Sequence, residues 1–393
     1  MNRNLWKTDA EKIVPLVVKW RRHIHQNPEL SFQEFATTEY IVNELKDLEG
    51  VEFYRPTKTG VVARIKGGKP GRTIAFRADI DALPITECND LEFISRNEGV
   101  MHACGHDGHC AILMGLTMLA AQHREELCGE VVCIFQHAEE LLPGGAIELY
   151  ETGVMDGVDE LYGCHLSSNF PTGTFGVRSG ALTAATDRFD IKVIGKGGHS
   201  SMPELCIDPI VTGAEIIMAL QQVISRNIRA LDSAVLSVCQ VSAGDAYNIT
   251  PPEMTITGSV RTFDKGVRNK VHERIGAISR GICAAYGADC EMEYQWGYDT
   301  VTNDESLTDR VEQALTGWFG PQCILHIDPV MPGEDFSALQ KQCPACFVEI
   351  GTRNEAKGTD KPHHNPNYIM DEDGLGYGLG LLACVMLDRM GEV

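Results

Sequence analysis

Three short apolar runs in the first half of the chain break off abruptly into charged or proton-binding residues, and this repeated design narrows the fold more than any other feature. TIAFRADIDALPI turns acidic at Asp79 and Asp81, VVCIFQHAEELLPGGA at Glu139 and Glu140, and ELYGCHLSS ends on His165. Apolar runs this short, separated by helical stretches, mark strands buried on both faces of a parallel sheet. Ligands of such sheets gather beyond the carboxyl ends of the strands, so side chains distant in sequence are expected to meet there.

The densest polar stretch is His102 to His109, HACGHDGH, followed at once by the apolar AILMGLTMLAA. It predicts a polar strand-to-helix turn, so Cys104 and His106 are expected at a fourth strand end that converges with the other three. Residues two apart share a face in an extended or turning segment, so Cys104 and His106 can point at one object while His102 and Asp107 look elsewhere. A thiolate and an imidazole suit a borderline-soft divalent ion such as zinc, manganese, nickel or cobalt better than calcium or magnesium. Alone, the stretch supplies too few ligands, and a surface turn with buried thiols at Cys104 and Cys110 would read the same way.

Glu139 and Glu140 are neighbours at a strand end, where adjacent side chains point in opposite directions. One can then hold a metal while the other faces a water. Paired glutamates are common on solvated surfaces, but these follow the apolar CIF, where like charges are costly unless a cation or substrate uses them. A lone histidine such as His165 is often a hydrogen-bonded core residue, and His363 and His364 lie in a proline-containing loop that reads equally as a solvated turn. His199 follows two glycines in GKGGHSSMPE, where backbone can approach a ligand closely. Arg261, in SVRTF, reads by itself as an outward charge.

At 393 residues the chain is expected to form two domains. Two helices come first, with the loop HQNPELSFQE between them. From about residue 184 the texture becomes alternating, as in TDRFDIKVIG, AVLSVCQVSAG, EMTITGSVRTF and CEMEYQW, with two amphipathic helices among these strands. The expected architecture is α/β: a mostly parallel sheet with helices on both faces (1–183 and 299–393), plus a smaller inserted α+β domain with an antiparallel sheet (184–298). An edge strand of that insert can pair with its own copy, which favours a homodimer or higher homo-oligomer.

A formal charge of −21 argues against nucleic acid or an anionic membrane as partner. The 14 cysteines sit mostly inside apolar runs, as reduced core thiols do. The N-terminal MNRNLWKTDAEK lacks the apolar core of a signal peptide, and no apolar run approaches the roughly 18 residues of a membrane span, so a cytoplasmic location is expected.

Taken in order, RRHIHQNPELSFQE, FRADIDALPI, MHACGHDGH, FQHAEELLPGGA, CHLS, GKGGHSSMP, YNITP, GSVRTFD, MPGEDFS and HHNPNYIMDED resemble one family. It is that of the metal-dependent amidohydrolases, which include hippurate hydrolase, N-acetyldiaminopimelate deacetylase and the indole-acetyl-amino-acid hydrolases. The resemblance implies two divalent ions (Mn, Zn, Ni or Co) held by Cys104, His106, Glu140, His165 and a histidine of the HHNPNY loop. His364 is preferred to His363, because the family pattern places two small or proline residues and then an aromatic after the ligand, here Asn365, Pro366 and Tyr368. It further implies Glu139 as general base, Asp81 steadying the metal site, and His199 of the insert as an oxyanion donor reaching across from a second subunit. Asn248 and Arg261 would hold the carboxylate or carbonyl of the substrate. The implied reaction cleaves an N-acyl amino acid to a carboxylic acid and a free amino acid, with closure of the inserted domain excluding water. A dipeptidase or carboxypeptidase of the wider clan is the alternative, and a non-catalytic metal-binding relative the reading from another class. Gly333, Glu204 and His137 depart from the usual pattern and bear on acyl-group and leaving-group preference rather than on the ligands.

Overall fold

A computed structural model describes residues 2–391, which divide into two compact units. The first runs through Leu182 and resumes over Val301–Pro329 and from Asp335 onward; the second comprises Thr183–Thr300 and Val330–Glu334.

The first unit begins with α1 (Arg3–Gln26), whose N-cap Asn2 accepts hydrogen bonds from the backbone N–H groups of Asn4 and Leu5. Its buried stripe of Trp6, Ile13, Val17, Trp20 and Ile24 recurs at helical spacing. After the HQNPELSFQE loop come α2 (Phe35–Leu45), β1 (Val51–Tyr54), β2 (Val61–Lys66) and β3 (Lys69–Asp79). Then follow α3 (His106–Gln122), β4 (Cys128–Gln136), α4 (Gly145–Glu151), β5 (Glu160–Pro171), β6 (Phe175–Val177) and β7 (Gly180–Ala181).

In the second unit, β8 (Ala185–Ile194), β9 (Gly198–His199), α5 (Pro209–Gln222), β10 (Ala234–Ser242), β11 (Ile249–Thr250), β12 (Glu253–Thr262), α6 (Lys265–Tyr286) and β13 (Asp289–Trp296) follow in order. The sheet order is β10-β12-β8-β13, antiparallel throughout. Among the described residues helices cover one face of this sheet, which is why β12 alternates between buried and more exposed residues. Phe189, Ile191 and Val193 of β8 pack with Ile216 and Leu220 of α5 and with Val271 and Ile275 of α6. Asp208 caps α5 ahead of Pro209, and Asp264 caps α6.

The first unit closes with β14 (Thr302–Asn303), α7 (Glu305–Phe319), β15 (Ile324–His326), α8 (Phe336–Leu339), β16 (Ala345–Arg353) and α9 (Asp373–Met390). Its eight-stranded sheet has the order β1-β2-β4-β3-β5-β16-β6-β15. The central strands β4, β3, β5 and β16 pair in parallel. Alternate residues of one strand feed two cores: Val61, Ala63 and Ile65 of β2 face the core built with α1, α3, α7 and α9, whereas Val62 faces the core of α4 and α8. Burial on both sides makes β3 continuously apolar from Ile74 to Phe76. The expected α/β class, with a mostly parallel main sheet and a separate antiparallel one, is the observed one.

Two local expectations are corrected. Cys104 and His106 do not end a strand; they straddle the start of α3, and His106 is its first residue. His165 lies within β5, paired with Glu349 of β16, because the strand continues to Pro171.

Candidate metal centre

Gly105 determines how Cys104 and His106 come to face one place. Its φ of +93° is left-handed, a conformation glycine adopts without steric cost, and it turns the chain directly into α3. Shared facing therefore comes from a left-handed turn rather than from extended alternation. The ligand-type atoms of Cys104, His106 and His165 lie within 4.8 Å of one another, as do those of Cys104, Glu140 and His364, and those of His106, Glu139 and Glu140. Cys104, His106 and Glu140 each belong to two of these groups, so the six side chains form one cluster.

Glu139 and Glu140 do not point in opposite directions as a strand end would require. β4 stops at Gln136, and Ala138 then takes a φ of +50°, which breaks the alternation and lets both carboxylates approach His106. His364 also has a positive φ, +62°, and its Nε2 is 3.1 Å from Glu140 Oε1. Its neighbour His363 is engaged elsewhere, its Nε2 accepting the Ser168 N–H at 3.3 Å.

Hydrogen bonds set the imidazole tautomers. His106 Nδ1 donates to the Asp81 carbonyl at 3.0 Å and carboxylate at 3.1 Å, which leaves Nε2 to carry either a proton or a metal ion. His165 Nδ1 donates to the Leu166 carbonyl at 2.9 Å, and its Nε2 lies 3.5 Å from the Cys104 sulfur. An imidazole whose other nitrogen is committed to an oxygen is the usual form of a metal-binding histidine. Buried His106 Nε2 has no hydrogen bond among the described residues, with Asp79 Oδ2 at 3.8 Å and Glu140 Oε1 at 3.9 Å, while Oε1 itself is paired with His364. Buried polar atoms left this way are costly unless something outside the chain satisfies them.

Charge tells the same story. Burial alone would lower His106, yet Asp79, Asp81 and Glu140 outweigh it and push the imidazole up to about 10. Burial, with Glu140 and Glu139 beside it, holds the Cys104 thiol well above its ordinary range, and burial with His109 holds His165 well below its own. An excess of acid that draws protons onto a histidine and a thiol is what a divalent cation would relieve. The donor set of thiolate, imidazole and carboxylate fits such an ion.

Residues 75–388 match the family described as peptidase family M20/M25/M40. The chain belongs to this family. As a member of M20/M25/M40 it is a hydrolytic enzyme. An N-acyl-L-amino acid amidohydrolase of Geobacillus stearothermophilus is 50% identical over 303 residues, 77% of this chain and 82% of that protein. Thermostable carboxypeptidase 2 of Saccharolobus solfataricus is 40% identical over 385 residues, 97% of this chain and 96% of its own. Among solved structures, a protein of Bacillus subtilis described as a dinuclear metal-binding peptidase from the M20 family superposes with a TM-score of 0.84 at 37% identity, covering 96% of this chain and 98% of that one.

Other expected site residues of this M20 chain lie in the second unit. His199 is exposed on β9 with its Nδ1 2.9 Å from the Ser201 hydroxyl, and the Asn248 carbonyl accepts the Ser200 N–H at 3.2 Å. Arg261 lies half-buried on β12, paired with Thr186 of β8.

Sequence reasoning assigned no role to a supporting set around the M20 cluster. His109 Nε2 accepts the Leu166 N–H at 2.8 Å, beside His165, while its Nδ1 donates to Asp79 at 2.6 Å. Asp79 is held in turn by Arg77 at 2.8 Å. His109 sits three residues after His106 on α3, so helical spacing was a usable signal that both share a face. Asp107 does look elsewhere, accepting from Arg21 at 2.7 Å and bonding His25 at 2.8 Å.

Proposed function

We propose that this M20 hydrolase cleaves the amide bond of N-acyl amino acids, releasing a carboxylic acid and a free amino acid, with two divalent cations held by Cys104, His106, Glu140, His165 and His364. The observation that carries the reading is the buried His106 Nε2, left without a hydrogen bond among the described residues, within a cluster of six ligand-type side chains. The G. stearothermophilus amidohydrolase and the dinuclear M20 structure support the substrate class and the metal count. Manganese, zinc, nickel and cobalt all suit the donor set.

Bound cations of this kind supply Lewis acidity, polarising the amide carbonyl and lowering the pKa of water towards neutrality. Glu139 takes the proton of the attacking water and hands it to the departing amine nitrogen, so the C–N bond breaks with a neutral leaving group. Asp81 holds His106 in the tautomer that keeps Nε2 available. His199 donates to the oxyanion as carbonyl becomes alkoxide, from a second subunit of a homodimer, while Arg261 and Asn248 orient the carboxylate or carbonyl of the substrate. The insert over 184–298 serves as lid and dimerisation domain, its closure excluding water, and the enzyme works in the cytoplasm.

Replacing Glu139 by glutamine keeps the shape and removes the base. We expect kcat to fall by about 10²- to 10⁴-fold with metal content unchanged. Activity within about tenfold of wild type would refute the base assignment. The carboxypeptidase relative favours a second reading, release of a C-terminal residue from a peptide. A panel of N-acetyl, N-benzoyl and N-indoleacetyl amino acids set against free dipeptides, run on metal-loaded enzyme, separates the two by kcat/KM.

A further inference from the structure

The motif RRHIHQNPELSFQE has no role in the chemistry above, yet its last residues lie against the turn that carries Glu139. Glu34 is fully buried, and its Oε1 accepts the backbone N–H groups of Ala138 at 2.8 Å and Phe32 at 2.9 Å. Ala138 is the residue held at a φ of +50°, a conformation disfavoured for any side chain with a Cβ. Its two backbone groups are both engaged, the N–H by Glu34 and the carbonyl by the Gly145 N–H at 2.8 Å. On the other side of Glu139, the Glu140 N–H donates to Asp81 Oδ2 at 3.0 Å, and the same oxygen accepts the Ser31 hydroxyl at 2.7 Å.

Residues 29–34 thus form a strap across the ends of β3 and β4. The Glu29 carbonyl accepts the Ala82 N–H at 2.8 Å, and Leu30 makes a parallel bridge with Ala82. Thr38 Oγ1 donates to the Glu34 carbonyl at 2.6 Å, tying the far end of the strap to the start of α2. A strap meant only to cover apolar surface would need no buried carboxylate, which is costly to desolvate. Glu34 places an acceptor where the main chain of a strained turn needs one.

We infer that Glu34 is a positioning residue for Glu139: by accepting the Ala138 N–H it locks the left-handed turn that aims the Glu139 carboxylate into the cluster. The inference rests on the reading of Glu139 as general base. It differs from that reading in predicting an effect of a side chain that touches neither the ligands nor Glu139's own carboxylate.

The test compares Glu34→Ala, Glu34→Gln and Glu139→Gln in the full chain. Misplacing a catalytic group by about 1 Å is worth about two decades in rate, so Glu34→Ala should lower kcat by about 30- to 100-fold. KM should stay within about threefold, and metal uptake should be unchanged. Glu34→Gln keeps a carbonyl oxygen for both N–H groups and should recover kcat to within about fivefold of wild type. In metal-free protein, Glu34→Ala should speed amide exchange at Ala138 by about tenfold, with Ile134 of β4 unaffected. Unchanged exchange at Ala138, a kcat within about threefold in Glu34→Ala, or no recovery in Glu34→Gln would each overturn the inference. Should Glu34→Ala not fold, Glu34→Asp, whose carboxylate stops one methylene short, is measured for the same exchange rate. An active Glu139→Gln would instead sink the general-base reading, while the exchange result still decides whether the strap holds the turn.

Discussion

Glu34 titrates far from where a glutamate ordinarily does. Burial, and then the Asp81 carboxylate, push it from 4.5 up to about 7. A group whose folded pKa lies above its unfolded one adds stability that is complete below the unfolded value and lost as pH rises through the folded value. Glu34→Gln cannot ionise and has no such dependence. In chelator-treated protein, urea unfolding should therefore show wild type losing about 2–4 kcal/mol relative to Glu34→Gln between pH 4.5 and pH 7, with a constant gap above. A gap independent of pH would mean that Glu34 is ionised in the fold at no cost. The side chain was spelled out in SFQE but its job was not legible, because the bond that defines it reaches Ala138, 104 residues away. Ligand types such as Cys104 and His106 are different: their chemistry is intrinsic to the residue and shows at once in a short string.

At the scale of elements, the start of α3 shows how far spacing can be read. HACGHDGH revealed a turn into a helix and the two residues that face one object, yet the cause is a left-handed glycine rather than a pleat. The pleat also misjudged Glu139 and Glu140, since strand alternation ends where Ala138 turns left-handed. Backbone sign at a single residue is invisible to hydrophobic periodicity, which reports only which face is buried. Gly105→Ala tests the element. A Cβ there would strain the backbone by about 1–2 kcal/mol and would meet Tyr368 Oη at 3.1 Å. We expect Cys104 to shift against His106 and metal affinity to drop by about 10- to 100-fold in competition with a chelator. Gly99→Ala is the control, since Gly99 has a φ of +78° but nothing within 4 Å of the added carbon. If both variants bind metal like wild type, the left-handed turn is not what sets the cluster.

For the whole molecule, the change from continuous apolar runs to alternating strands near residue 184 reports a change of sheet type, parallel and covered on both faces against antiparallel and covered on one. Each unit has its own core: Ile74, Phe76 and Cys133 belong to the first, Phe189, Ile191 and Val271 to the second. All six side chains of the cluster belong to the first. A ligand that binds only folded protein stabilises it by RT ln(1 + [L]/Kd), about 2.7 kcal/mol at a hundredfold excess over Kd. With separate cores, that stabilisation should be local. Adding manganese or zinc to chelator-treated protein should slow amide exchange in β3, β4 and α3 by about 30- to 100-fold, the equivalent of that free energy. Amides of β8 and β12 should stay within about twofold. Buried Trp6, Trp20 and Trp318 lie in the first unit, whereas half-exposed Trp296 lies in the second, so the fluorescence melt should follow mainly the metal-dependent unit. Equal slowing in both sheets would mean that the units unfold as one cooperative body. No slowing in either would mean that the convergence of Cys104, His106, Glu140, His165 and His364 holds no ion at all.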